Sequence, residues 1–249
     1  YAELIAEHKP ELVRFVATSA SRDVSNRGEF VAGIKTRLGI EPDIISGDEE
    51  AALSFLGATA DLLNFDQAPI APYLVIDIGG GSTEFVLGTS KPTAAINTNV
   101  GCVRMTERHL VSDPPTIEQI AAATADIDAA IDQAYLAVPI TEAKSLIGLA
   151  GSVTTVAALA LGLTEYDSEA IHGSRISANE VHRVTSELLA MTRAQRATLG
   201  PMHEGRIDVI GSGALVLDRI MARTGLLQVV VSERDILDGI ARALVSNPS

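Results

Sequence analysis

The sequence predicts an α/β protein: a mixed β-sheet with helices on its faces. Three observations lead there. From Tyr73 onward three strand-like segments follow one another directly, at 73–78, 83–88 and about 93–98. After them helical and strand-like periodicities alternate to the end of the chain, the pattern of a sheet covered by helices. The third is capacity, since 249 residues with 47% hydrophobic content can bury a sizeable core.

Before Tyr73 the chain reads as an amphipathic start at 1–8, a strand at 12–17, a helix near 27–38, a short strand at 43–45 and a helix at 47–63. Residues 64–72, with Pro69 and Pro72, form the best linker, which divides the chain into 1–68 and 69–249. A helix over 116–137 opens on Thr116 and Gln119, a capping-box pair, and keeps Ile117, Ile120, Thr124, Ile127 and Ile131 at helical spacing. A strand at 145–149 then enters a glycine turn and a helix at 152–161. Ser177 and Glu180 open another helix, with Val181, Val184, Leu188 and Met191 as its apolar face. A helix at 205–223, a strand at 226–231 and a last helix capped by Ser232 complete the order.

Composition excludes several classes. A net charge of −13 argues against general binding to nucleic acid or to anionic membranes. No apolar run reaches the roughly 18 residues of a membrane span. The single cysteine, Cys102, rules out an intrachain disulfide and fits a reducing, cytoplasmic setting. A phosphate ligand would have to be drawn by local features: a metal ion, amide groups, helix N-termini and arginines such as Arg22, Arg104 and Arg206.

The most informative stretch is YLVIDIGGGSTEFVLG at 73–88. A strand leads to Asp77, the turn Gly79, Gly80, Gly81, Ser82 follows, and a second strand returns through Glu84. Glycines permit backbone conformations that let successive amides converge on an anion. Asp77 and Glu84 flank the turn as oxygen ligands for a hard cation such as Mg²⁺. An ordinary hairpin needs only a two-residue Asn-Gly or Asp-Gly turn, so three glycines after an Asp favour phosphate. A second turn, 148–152, ends in Gly151 and Ser152 and opens a helix whose free amides form an anion site; a plain strand-to-helix turn has the same pattern. At 44–51, Ser46 and Glu49 make a capping box, which accounts for Glu49. Glu50 is left for either the helix dipole or the activation of water.

With these motifs in order, ATSASRDVSNRGEF, IISGDEEAAL, LVIDIGGGSTEFVLG, NVGCVRMTE, IGLAGSVTTVAAL and RIDVIGSGALVLDRI, the chain resembles the exopolyphosphatase / guanosine pentaphosphate phosphohydrolase family of the actin-like ATPase superfamily. The resemblance implies two ribonuclease-H-like lobes with a cleft between them, the last helix packing back on the first lobe. It implies hydrolysis that depends on Mg²⁺ (or Mn²⁺) and releases a terminal phosphate from polyphosphate or guanosine pentaphosphate, in a cytoplasmic homodimer. It assigns Glu50 as the catalytic residue and Asp77 and Glu84 as the metal pair. Phosphate contacts fall to Arg22, Gly79, Gly80, Gly81, Ser82, Gly151 and Ser152. Polyphosphate is the preferred substrate. A kinase or ATPase of the same superfamily and a non-catalytic phosphate-chain sensor are the other classes.

Three departures accompany the resemblance. Ala52 stands where family members often carry Arg, and the second turn lacks the common Gly-Gly-Thr ending. An initial strand-turn-strand with an Asp-x-Gly-Ser/Thr loop has no counterpart here, so the first lobe is expected to be N-terminally incomplete and the chain to be a fragment.

Overall fold

The computed structural model describes residues 1–18, 26–65 and 67–246. Its first sheet pairs β1 (Val16–Ala17) and β2 (Asp43–Ile44) in parallel, with Val16 opposite Asp43. A parallel pair needs a long crossover, and helix α2 (Arg27–Leu38) lies in it, ending at Gly39 with φ 68°. Both strands are shorter than the sequence pattern suggests. The ladder stops because Ile45 makes its last bond to the Ala17 carbonyl and Ser46 already caps the next helix. Neither α1 (Ala2–His8) nor α2 has a buried residue.

Helix α3 (Gly47–Thr59) opens as expected on Ser46, whose hydroxyl accepts the Glu49 amide at 3.1 Å. The Glu49 carboxylate does not close the box. It accepts from Arg14 at 2.7 Å instead, because a charged donor outcompetes a backbone amide. The helix ends at Thr59, and Leu62 is buried in the short 3-10 turn that follows.

Six strands form the second sheet in the order β5-β4-β3-β6-β8-β7. These are β3 (Tyr73–Ile78), β4 (Thr83–Gly88), β5 (Pro92–Thr98), β6 (Ser145–Leu149), β7 (Arg175–Ser177) and β8 (Gln228–Val231). β3, β6 and β8 run parallel; β4, β5 and β7 run antiparallel to their neighbours. β3 is covered on both faces, so it reads as a continuous apolar run rather than an alternation. Leu74, Ile76 and Ile78 join the core with α5 (Ile117–Ala137) and α10 (Ile210–Thr224), while Tyr73 and Val75 meet Phe55 and Leu62.

The capping boxes at Thr116/Gln119 and Ser177/Glu180 are both present. Among elements the sequence pattern did not reveal are α4 (Cys102–His109) and edge strand β7, whose three residues are too few to show a period. α6 (Ala150–Ala160), α7 (Ser168–Ile171), α8 (Ala178–Ala190) and α9 (Arg193–Arg196) complete the second half. The last helix, α11 (Ile236–Ser246), is not capped by Ser232. Asp235 takes that place, its carboxylate accepting the Leu237 amide at 2.7 Å, while the Ser232 hydroxyl accepts the Arg234 amide.

Candidate active site

Parallel pairing of β3 and β6 places Asp77 beside Leu149 and brings the turns after both strands to one edge of the sheet. Ligands of open α/β sheets collect at these carboxyl ends. The two glycine turns, separate in sequence, are therefore neighbours.

The first turn is tied to the start of α4. The amides of Cys102 and of Val103 donate to the Gly79 and Gly80 carbonyls at 2.9 and 2.8 Å, and Arg104 Nε donates to the Gly81 carbonyl at 2.7 Å. Gly101 lies under the turn, where a Cβ would come 2.5 Å from the Ser82 amide nitrogen. The motif NVGCVRMTE thus holds the first turn in place, a role its residues alone did not announce. Gly79, Gly80 and Gly81 are not in the left-handed region, contrary to the conformational reason the sequence suggested. A Cβ on Gly79 would come 3.3 Å from the Ser82 carbonyl oxygen and one on Gly80 3.3 Å from the Val103 side chain, both tight, whereas one on Gly81 would stand 3.5 Å from the Arg104 guanidinium, an ordinary contact.

In the second turn the left-handed residue is Ala150, with φ 68°. Gly151 makes room for Arg206: a Cβ would overlap the guanidinium, which donates to Thr155 Oγ1 at 2.9 Å. Ser152 is buried, its side chain packed against Gly213 and close to Cys102. What Ser152 offers at the turn is its backbone. Each turn therefore carries an arginine, Arg104 at the first and Arg206 at the second, and neither has a carboxylate partner among the described residues.

The acids gather at the same edge. Asp77 and Glu84 are direct cross-strand partners. Glu84 accepts from Ser82 Oγ at 2.8 Å and from Asn97 Nδ2 at 2.6 Å. Burial, then the charges of Asp235 and Glu50, push the Asp77 carboxyl up to about 6. Burial and Asp77 push Glu84 up to about 7, with Glu50 adding to the rise and the Ser82 hydroxyl opposing it. Glu50, on the first turn of α3, lines a pocket of about 130 Å³ together with Glu84 and Asn97.

Acids whose pKa values are raised first by burial and then by neighbouring carboxylates fit a cation that would restore their charge. Among the described residues no three His, Cys, Asp or Glu side chains are grouped as a ready metal cage. The Asp77 and Glu84 carboxylates, cross-strand partners, fit Mg²⁺, which binds through one or two carboxylates and keeps several waters. Arg22 lies outside the described residues. Asp235, beside Asp77, is the acid that sequence reasoning missed; only the docking of α11 brings it there.

The signature of the Ppx/GppA phosphatase family matches residues 1–245. The chain belongs to that family. It is 46% identical to Exopolyphosphatase 2 of Mycobacterium tuberculosis (strain H37Rv), a match covering 98% of this chain and 78% of that protein. Among solved Ppx/GppA-type structures, an exopolyphosphatase-like protein superposes with a TM-score of 0.91 at 46% identity, covering 97% of this chain and 80% of the other. The Aquifex aeolicus PPX-GPPA enzyme gives 0.84 at 27% identity over 99% and 79%. These superpositions agree with the actin-like α/β fold expected from the motifs.

Proposed function

We propose that the chain is an exopolyphosphatase, releasing orthophosphate from the end of inorganic polyphosphate by hydrolysis. The observation that carries this reading is the shared pocket of Glu50 and Glu84, a carboxylate from α3 beside one from β4, with the Glu50 charge also acting on Asp77. The chain's likeness to the M. tuberculosis exopolyphosphatase supports the substrate class.

In this reading the backbone amides of 79–82 and 151–152, with Arg104 and Arg206, bind phosphate oxygens of the chain end. An anion seated against the backbone accounts for glycine at 81, where the protein alone would accept a side chain. Glu50 orients a water for in-line attack and accepts its proton as the terminal P–O–P bridge breaks, giving orthophosphate and a chain one unit shorter. Asp77 and Glu84 would hold Mg²⁺, which when bound supplies charge neutralisation for the phosphate oxygens. Arg22 is assigned to the same phosphate, and the active unit to a homodimer, which light scattering tests directly.

The test is phosphate release from polyphosphate and from guanosine pentaphosphate, with Mg²⁺ or with chelator. Release from polyphosphate that needs the metal is expected. Turnover of guanosine pentaphosphate alone would reassign the substrate, and full activity in excess chelator would remove the metal role.

A further inference from the structure

Every arginine after Arg104 in the described chain pairs with a carboxylate except two, Arg206 and Arg175. Arg104 and Arg206 stand at the glycine turns. Arg175 stands on edge strand β7, opposite Val230, and like those two it is held by a neutral oxygen, the Gln67 carbonyl. Its guanidinium is thus oriented without its charge being matched by a described carboxylate.

Two cavities meet at Arg175. One, of about 640 Å³, is lined also by Lys144, Ser145, Asn179 and Leu227. The other, of about 490 Å³, is lined by Phe65, Gln67 and His172. Both fall within the volumes of small-molecule sites. Among the described residues neither lining contains an Asp or Glu, in a chain of net charge −13; Asp66, between Phe65 and Gln67 in sequence, is outside them. Glu180, the acid next to the first cavity in sequence, is turned into its capping box with Ser177 at 2.9 Å. Lys144 has no ion pair among the described residues. In the second cavity the Phe65 ring stands edge-on to His172, centroids 5.2 Å apart, and Gly173 leaves it room, since a Cβ there would lie 3.0 Å from the ring.

We propose that the groove centred on Arg175 is a second ligand site, for an organic phosphate of nucleotide size. Its phosphate meets Arg175 and Lys144, where a guanidinium fork matches phosphate oxygens, and its planar ring lies against Phe65. Among the described residues neither cavity is lined by a residue of the glycine turns, and the site does not depend on the hydrolytic reading.

ADP is the probe, titrated by calorimetry against the full chain carrying Arg104→Ala and Arg206→Ala, which weakens anion binding at the turns. ADP is expected to bind this variant, and tripolyphosphate and adenosine, each lacking one half of the recognised chemistry, to bind more weakly. Adding Arg175→Gln, which keeps an N–H for the Gln67 carbonyl, should weaken ADP by about ten-fold or more, the loss of one charge-assisted hydrogen bond. Hydrogen exchange on the unsubstituted chain gives a second reading: ADP should protect 64–65 and 175–179. Unchanged ADP affinity in the Arg175→Gln variant, absence of ADP binding, or protection confined to 79–82 and 150–152 would overturn the proposal.

Discussion

Gly57 and Gly239 let two helices touch backbone to backbone. A Cβ on Gly57 would overlap the Asp235 carbonyl and lie 3.0 Å from the Gly239 amide nitrogen; one on Gly239 would overlap the Leu53 carbonyl and lie 3.2 Å from the Gly57 amide nitrogen. Glu50 is two turns before Gly57 on α3, so this crossing fixes how far Glu50 reaches toward Glu84. Gly57→Ala and Gly239→Ala must each push the helices apart. We expect a loss of roughly 1–3 kcal/mol in stability, the usual cost of overpacking, read by denaturant unfolding. Turnover should fall while KM holds; unaltered turnover in folded variants would separate the crossing from the site.

Glu50→Gln should abolish phosphate release and leave polyphosphate binding nearly intact, because the amide keeps the shape and loses the proton acceptor. Glu49→Gln should stay active. Its carboxylate serves Arg14 at a half-exposed position, where an ion pair contributes about 1 kcal/mol at most. Steady-state turnover and equilibrium binding of both variants decide it, and an inactive Glu49 variant beside an active Glu50 variant would reverse the assignment.

Asp77 at about 6 and Glu84 at about 7 lie above their ordinary values of 3.8 and 4.5. A carboxyl whose folded pKa is raised contributes stability that is complete below its unfolded pKa and is lost as pH rises through the folded one. In chelator the protein should therefore lose stability between about pH 4 and 7 through these two groups. The Asp77→Asn/Glu84→Gln variant should lack that portion of the loss. Mg²⁺ at pH 8 should raise the melting temperature of the parent and not of the variant, and equal responses would argue against this pair as the metal ligands.

Ala150 holds φ 68° at the mouth of the second turn. A left-handed L-residue costs about 1–2 kcal/mol, and glycine's extra freedom in the unfolded chain takes back about 0.5–1 kcal/mol. Relief of strain wins. Ala150→Gly should gain up to about 1.5 kcal/mol in unfolding free energy with phosphate release retained, and a destabilised variant would show that the alanine methyl is needed for packing.

What the sequence determined is what local chemistry decides. Thr116/Gln119 and Ser177/Glu180 read as caps because three-residue spacing is enough to close the box, and 73–98 read as three strands because the hairpin is contiguous. Of the candidate residues, the fold brings Asp77, Glu84 and the two glycine turns to one edge of the sheet, and Arg22 lies outside the described residues. Tertiary structure decided the rest. Arg206 over Gly151, Glu50 beside Glu84, Asp235 beside Asp77 and the capture of Glu49 by Arg14 are contacts between segments far apart in the chain. No short-range period encodes them. They follow from parallel pairing of β3 with β6 and from the backbone contact at Gly57 and Gly239, where the absence of two side chains sets the distance between helices.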